Sequence, residues 1–297
     1  MTLRGFGGRG ARAGYAVAAF ALLAALWELV KYLVPEQGLS VGGQRLLPRT
    51  TDAAMPHVWS VVTVLGERDG KSTVGATLLR TAGFTLGLAL LALVLGTVVG
   101  VLLAVLMQRF AFVERGLLPY VVVSQTVPLI ALAPLVAGWG GKIVIAGQPW
   151  QPWMSIAVIA SYLAFFPVAV GMLRGLQAPA KASVELLHSY SASWWQTLVR
   201  LRFPAAVPHL LPALRLAAAA SVIGAVVAEI STGTAGGIGR QIIVFAQQAT
   251  GDAARLYAAV LAAALLGVAV TTVVALIEFA LRRYSRPAGA RDSGGTR

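Results

Sequence analysis

The chain contains no cysteine, and that one absence removes disulfide frameworks, thiolate metal sites, iron–sulfur clusters and cysteine nucleophiles together. Histidine is scarce too: His57, His188 and His209 stand too far apart for metal-ligand spacing. No metal and no cofactor is expected. Charged residues make up 12% of the 297, about half the share found in a soluble domain. Acids are the scarcer sign, 11 against 24 basic residues, for a net charge of +13. In a soluble protein that excess would point to nucleic acid, but in a lipid-embedded one it reports topology, so no nucleic-acid partner is expected. What fills the chain instead is apolar residue, 58% of the total, in windows long enough for spans of about 20 residues. The expectation is an all-α membrane protein in contact with lipid, not a soluble enzyme with a loop-built site.

Apolar windows place about six transmembrane helices near 14–34, 79–107, 117–138, 153–173, 207–230 and 255–281. That leaves an N-terminal tail 1–13, a long loop 35–78, a transmembrane core 79–281 and a basic tail 282–297. On the side of the termini lie Arg4, Arg9, Arg12, Arg109, Arg115, Arg174, Lys181, Arg200, Arg202, Arg282, Arg283, Arg286, Arg291 and Arg297. The two short loops opposite hold only Lys142 and Arg240, while loop 35–78 mixes both signs. The positive-inside rule then puts both termini in the cytoplasm and loop 35–78 outside, in a multi-pass inner-membrane protein. A cleaved signal peptide competes for the first span, since three arginines precede the apolar run from Tyr15 to Trp27. Against it, the run continues through Leu29 and Val30 and has no clear small-x-small cleavage site.

Glycines in the second span come in pairs four apart, Gly83 with Gly87 and Gly96 with Gly100, which predicts close helix packing on one face. The third span carries Pro119, Pro128 and Pro134, and Pro128 removes a backbone donor beside Gln125 and Thr126. Such a break survives in a membrane only where protein or a water-filled cavity satisfies the freed groups. Gln125, Thr126 and Pro128 are therefore either a plain kink or part of a pathway wall.

Two glycine-rich stretches are decoys. Gly66-Glu67-Arg68-Asp69-Gly70-Lys71-Ser72-Thr73 has three residues between its glycines where a phosphate loop needs four, and it falls on the external side. Gly233 to Gly239 follows a span rather than a strand and opens no dinucleotide-binding unit. It reads as a flexible external loop.

The stretch 182–212 is amphipathic where the rest is apolar. It predicts two short helices, the first containing Glu185, a turn at Ser189-Tyr190-Ser191-Ala192, and a second opening at Ser193 with Gln196 completing a capping box. The second helix has an apolar stripe of Trp194, Leu198 and Leu201, with Trp195 and Val199 beside it, and Pro204 is expected to end it. Tryptophans on a solvent-side loop need a surface to rest on, either the bilayer interface or another protein.

The segment resembles the EAA loop of ABC importer permeases: Glu-Ala-Ala, three residues, Gly, nine residues, Ile-x-Leu-Pro. Glu185 takes the first place, Ser191 the glycine place, Leu201 and Phe203 the aliphatic places and Pro204 the last, with Leu186 and Leu187 replacing the alanines. Further similarity runs from Leu47-Pro48 through Thr77 to Arg80 and Val127 to Leu135 to Gly224-Ala225-Val226-Val227-Ala228-Glu229. The chain looks like a member of the nitrate, sulfonate and taurine permease family. The resemblance implies a pathway built by two permease subunits, a homodimer in the simplest case. It also implies cytosolic ABC ATPases on the 182–204 coupling loop and an external substrate-binding protein. Trp194 and Leu198 would fill an ATPase groove, and Glu185 would bond to Arg200 or Arg202 to fix the loop. Hydrolysis belongs to the ATPase, since this chain has no phosphate loop, acidic metal cluster or nucleophile–base pair. Family members carry nitrate, sulfonates, taurine, cyanate, thiamin pyrimidine precursors or riboflavin, and the run from Ser221 to Ala225 looks more like members handling heterocycles.

Ionisable residues within spans need a partner, a cavity or a route to the interface. Glu229 reads as an external gate residue or an interfacial carboxylate, Ser221 as a candidate pathway residue, and Arg215 as snorkelling to the cytoplasm. Glu28 with Lys31 and Glu278 with Arg282 have helical pair spacing. A secondary transporter or channel is the alternative function, but it would need mid-membrane charge that is almost missing here. A membrane enzyme would need clustered acids or histidines.

Overall fold

The structure, a computed structural model, describes residues 9–38, 40–41, 44–45, 49–145, 147–249 and 253–284. The expectations on Arg4, Leu47, Pro48, Arg286, Arg291 and Arg297, and on the side chains of Arg9, Arg12, Arg282 and Arg283, lie outside the described residues. Eleven helices are described: α1 (Arg9–Leu33), α2 (Val58–Thr63), α3 (Val74–Arg109), α4 (Ala111–Ser124), α5 (Leu129–Gly140), α6 (Pro152–Gln177), α7 (Lys181–Ser189), α8 (Trp194–Thr197), α9 (Phe203–Thr232), α10 (Ile238–Gln248) and α11 (Ala253–Tyr284). Three two-stranded hairpins lie between them: β1–β2 (Ser40–Val41, Gln44–Arg45), β3–β4 (Arg68–Asp69, Ser72–Thr73) and β5–β6 (Val144–Ile145, Gln148–Pro149).

Among the described residues, α3, α6, the stretch Trp194–Thr232 and α11 are long and apolar enough to cross a membrane. The pair α4–α5 passes the same test only jointly, and α1 has 25 residues where the first span is expected. The all-α membrane fold is as expected, with one correction of bounds in the second span and a break in the third at Pro128. The second span starts at Val74 rather than 79, because Thr73 Oγ1 accepts from the Ala76 amide and starts the helix early. At 1.5 Å per residue its 36 residues reach about 54 Å, well beyond a hydrocarbon core of about 30 Å. The third span is not straight: α4 and α5 meet at 102° across Gln125–Pro128. Pro128 caps α5 from an extended backbone, so the amide it lacks is one the helix start would leave unpaired anyway.

The chain divides into two compact units, residues 1–79 with 242–261 and residues 80–241 with 262–297. In the first, residues 49–78 of the loop are folded. Glu28 accepts from the Val58 amide at 2.7 Å, at the α2 N-terminus, and pairs with His57 Nδ1 at 2.8 Å, while Lys31 donates to Asp52 and to the Met55 carbonyl. The helical Glu28–Lys31 reading is thereby corrected: each residue makes its direct hydrogen bonds to the loop. The decoy Gly66–Thr73 forms a short 3₁₀ turn and the β3–β4 hairpin, with Gly70 at φ +62 in its turn.

In the second unit, small residues of α3, α6 and α9 interleave. Ala89 and Ala92 meet Ala160, Ala218 and Ala225 in one buried cluster with Ile156, Ile159 and Val222. A methyl added at Gly96 would lie 2.8 Å from the Ala164 Cβ and one at Gly100 would lie 2.7 Å from the Phe165 carbonyl, so these two glycines let α3 approach α6. Among the described residues no other helix comes within 4 Å of a methyl added at Gly83 or Gly87, so the packing expectation fails for that pair within the chain. Arg215 does not reach for the interface alone: its guanidinium meets the buried Glu278 carboxylate of α11 at 2.5 Å.

Candidate functional site

The segment between α6 and α9 forms the helix, turn and helix expected of it. The α7 helix ends in a paired cap: the Ser191 amide donates to the His188 carbonyl at 2.9 Å and the Ala192 amide to the Leu187 carbonyl at 3.0 Å. That geometry needs a left-handed residue in the turn, and Ser191 supplies it at φ +56, the one non-glycine at positive φ among the described residues. Ser193 then caps α8 with the full box, its hydroxyl accepting from the Gln196 amide while the Gln196 side chain accepts from the Ser193 amide at 2.7 Å.

Strain at Ser191 carries a test. A left-handed serine costs about 1 kcal/mol that glycine would not. Ser191→Gly is expected to raise the thermal midpoint of the purified protein slightly, and Ser191→Val, with a branched Cβ at that φ, to lower it. A midpoint that falls in the glycine variant would show that the serine side chain stabilises the turn.

Pro204 does not end the second helix. The chain passes from α8 through a π segment at Leu198–Arg202 directly into α9, with Pro204 in its first turn. Proline clashes with the carbonyl four residues back and lacks the amide that would bond to it, and the widened π turn absorbs both defects. Continuity also sets the facing of the side chains. Leu198 is 1% exposed and packs with Ala104, Met107, Met172, Leu176 and Ala206, and Trp194 lies half-buried against the same cluster under the Arg109 guanidinium. The apolar surface left free is Trp195 and Val199 on one helix, with Leu186 and Tyr190 on the other. Leu201 is half-buried and Pro204 exposed. Glu185 is exposed and, among the described residues, pairs with neither Arg200 nor Arg202. Arg202 donates instead to the Leu176 carbonyl at 3.0 Å, at the end of α6.

The candidate pathway residues do not converge. Thr126 and Pro128 are exposed and Gln125 half-buried at the α4–α5 corner, where the Tyr162 hydroxyl donates to the Ser124 carbonyl. Ser221 is fully buried and its hydroxyl donates to the Ala218 carbonyl of its own helix, so it faces the core.

Glu229 is enclosed by the chain itself. It is fully buried, and its carboxylate accepts from Thr85 Oγ1 at 2.8 Å and from the Gly239 amide at 2.8 Å, while Thr85 Oγ1 accepts from the Ile238 amide at 2.9 Å. The carboxylate and hydroxyl together satisfy the first amides of α10. A methyl at Gly237 would lie 2.1 Å from the Glu229 carboxylate, so only glycine admits this approach. The stretch Gly233–Gly239 is thus fastened to the interior rather than flexible. Thr85 carries no motif of its own; a threonine in an apolar helix opposite a buried acid becomes legible only once the helices are paired.

Residues 96–283 match the family described as binding-protein-dependent transport system inner membrane component. The chain is 37% identical over 145 residues to the formylaminopyrimidine transport permease protein ThiX of Halalkalibacterium halodurans, covering 49% of this chain and 54% of that protein. It is 26% identical over 173 residues to the riboflavin transport system permease protein RibX of Chloroflexus aurantiacus, covering 58% and 60% respectively. The chain therefore spans little more than half the length of these curated relatives. A crystal structure of an amino acid ABC transporter superposes with a TM-score of 0.55 at 18% identity, covering 69% of this chain and 94% of that one, a likeness of fold.

Proposed function

Since the chain belongs to the binding-protein-dependent transport system inner membrane component family, we propose that it is the transmembrane permease of an ATP-driven ABC importer. Its substrate would be a small solute delivered by an external binding protein. The observation that carries the reading is the 182–204 loop, which keeps the EAA spacing, holds a left-handed residue in the glycine place and leaves Trp195, Val199, Leu186 and Tyr190 uncovered. A cytosolic ATPase groove would cover them, with the free Glu185 carboxylate turned to the same partner rather than to Arg200 or Arg202. A second copy of the permease would complete the pathway, leaving hydrolysis to the ATPase. ThiX and RibX bear names for a pyrimidine and a flavin, which favours a nitrogen heterocycle over nitrate or a sulfonate as the solute.

The reading is tested by purifying the tagged chain with its neighbouring ATPase and binding protein and measuring ATP-dependent uptake into proteoliposomes. Uptake without the ATPase, driven by an ion gradient, would establish a secondary transporter instead. The orientation has its own check. Reporters fused after Val34 and Trp150 are expected outside, and those after Arg109 and Leu176 inside. The opposite pattern would place the 182–204 loop out of reach of any cytosolic ATPase.

A further inference from the structure

The α6–α9 pair has a groove unrelated to the coupling loop. The two helices run antiparallel at close range: a methyl at Gly171 would lie 2.5 Å from the Ala213 Cβ, and one at Gly175 2.7 Å from the Ala206 Cα. Beside this seam opens a cavity of about 370 Å³. Its polar end is formed by Arg174 and His209, and its other walls include Phe166, Val170, Pro212 and Leu216. Arg174 and His209 lie at nearly the same level of the pair, and Phe166 stands eight residues from Arg174, so the groove extends about 12 Å toward the middle of the membrane. No carboxylate is among the described residues that line it, and Arg174 is exposed, with no ion pair among the described residues.

Cationic at the end expected in the cytoplasmic leaflet and apolar toward mid-membrane, the groove has the polarity profile of an anionic amphiphile. We propose that it binds one anionic phospholipid of the inner leaflet, the phosphate on Arg174 and His209 and an acyl chain along Phe166, Val170 and Leu216. A soluble anion would leave the apolar walls wet, and a zwitterionic lipid would bring its own cation to the arginine. The proposal rests on the membrane orientation given above but not on transport, so its failure and that of the importer reading are separable.

The test is native mass spectrometry of the purified permease released from nanodiscs holding phosphatidylglycerol and phosphatidylcholine in equal amounts. Phosphatidylglycerol is expected to be retained preferentially, and Arg174→Gln to reduce its retention about fivefold, with Arg174→Lys restoring most of it. Leu216→Trp, which narrows the apolar end and leaves the cation in place, is expected to displace the lipid as well. Equal retention of the two lipids, or retention unaffected by Arg174→Gln, would overturn the proposal. Displacement of phosphatidylglycerol by millimolar inorganic phosphate would overturn it in favour of a soluble-anion site. So would cross-linking of two copies through Leu216→Cys, which adds the only thiol in the chain and would show that a second permease fills the groove.

Discussion

Replacing Glu229 with alanine is expected to remove most of the folded protein from the membrane fraction. The substitution leaves the Gly239 amide without its acceptor and empties the place of the carboxylate in a fully buried site, while the Thr85 hydroxyl keeps only the Thr81 carbonyl at 3.2 Å. At about 1–3 kcal/mol for the stranded amide, with the cost of the emptied space added, the loss is a large part of a domain's net stability. Glu229→Gln keeps an oxygen for the Gly239 amide, and the Thr85 hydroxyl can turn to the Thr81 carbonyl, already 3.2 Å away, so its cost is expected to be much smaller. Gly237→Ala should be nearly as damaging as the alanine variant, because its methyl would collide with the carboxylate. Its effect should shrink once Glu229 is already alanine, since the two changes act on one contact. Thermal midpoints of the four proteins measure this; additive losses would mean that the carboxylate does not hold the Gly233–Gly239 stretch.

The second large effect separates two leucine- and tryptophan-bearing faces that look alike in the sequence. Leu198→Asp is expected to abolish accumulation of the protein, for it puts an unpaired charge among Met107, Met172 and Leu176. Trp195→Asp, on the exposed face, is expected to leave the membrane level and thermal midpoint unchanged while abolishing co-purification of the ATPase, as removal of a central aromatic anchor does in many interfaces. If Trp195→Asp still recovers the ATPase in full, the loop rests on lipid headgroups rather than on a protein.

The contrast between those faces marks the limit of what the sequence tells. Periodicity in 194–201 is real, and Trp194, Leu198 and Leu201 do form a stripe, but a stripe does not say what covers it. Only the unbroken passage into α9, through a π turn that no local signal announces, directs that stripe onto the chain's own core. Local rules did better where chemistry is short-range: the Ser193 capping box, the break at Pro128 and the turn at Ser191 were all readable from neighbours in the chain. Contacts distant in sequence were not. Glu28 and Lys31 have helical pair spacing yet bond to loop residues, and Arg215 finds Glu278 across 63 positions. Gly96 and Gly100 differ from Gly83 and Gly87 only in what stands opposite them.

The continuity of Trp194 to Thr232 has a mechanical consequence. Thirty-nine residues in one helical rod measure about 58 Å at 1.5 Å per residue. A rod pivoted at its Trp194 end and turned by about 5° carries its far end through an arc of about 5 Å, more than a hydrogen bond can stretch and survive. Glu229 stands three residues before that far end. A tilt too small to unseat the 194–202 end would therefore be amplified to the scale at which the Glu229 carboxylate must either drag the Gly233–Gly239 stretch along or let it go.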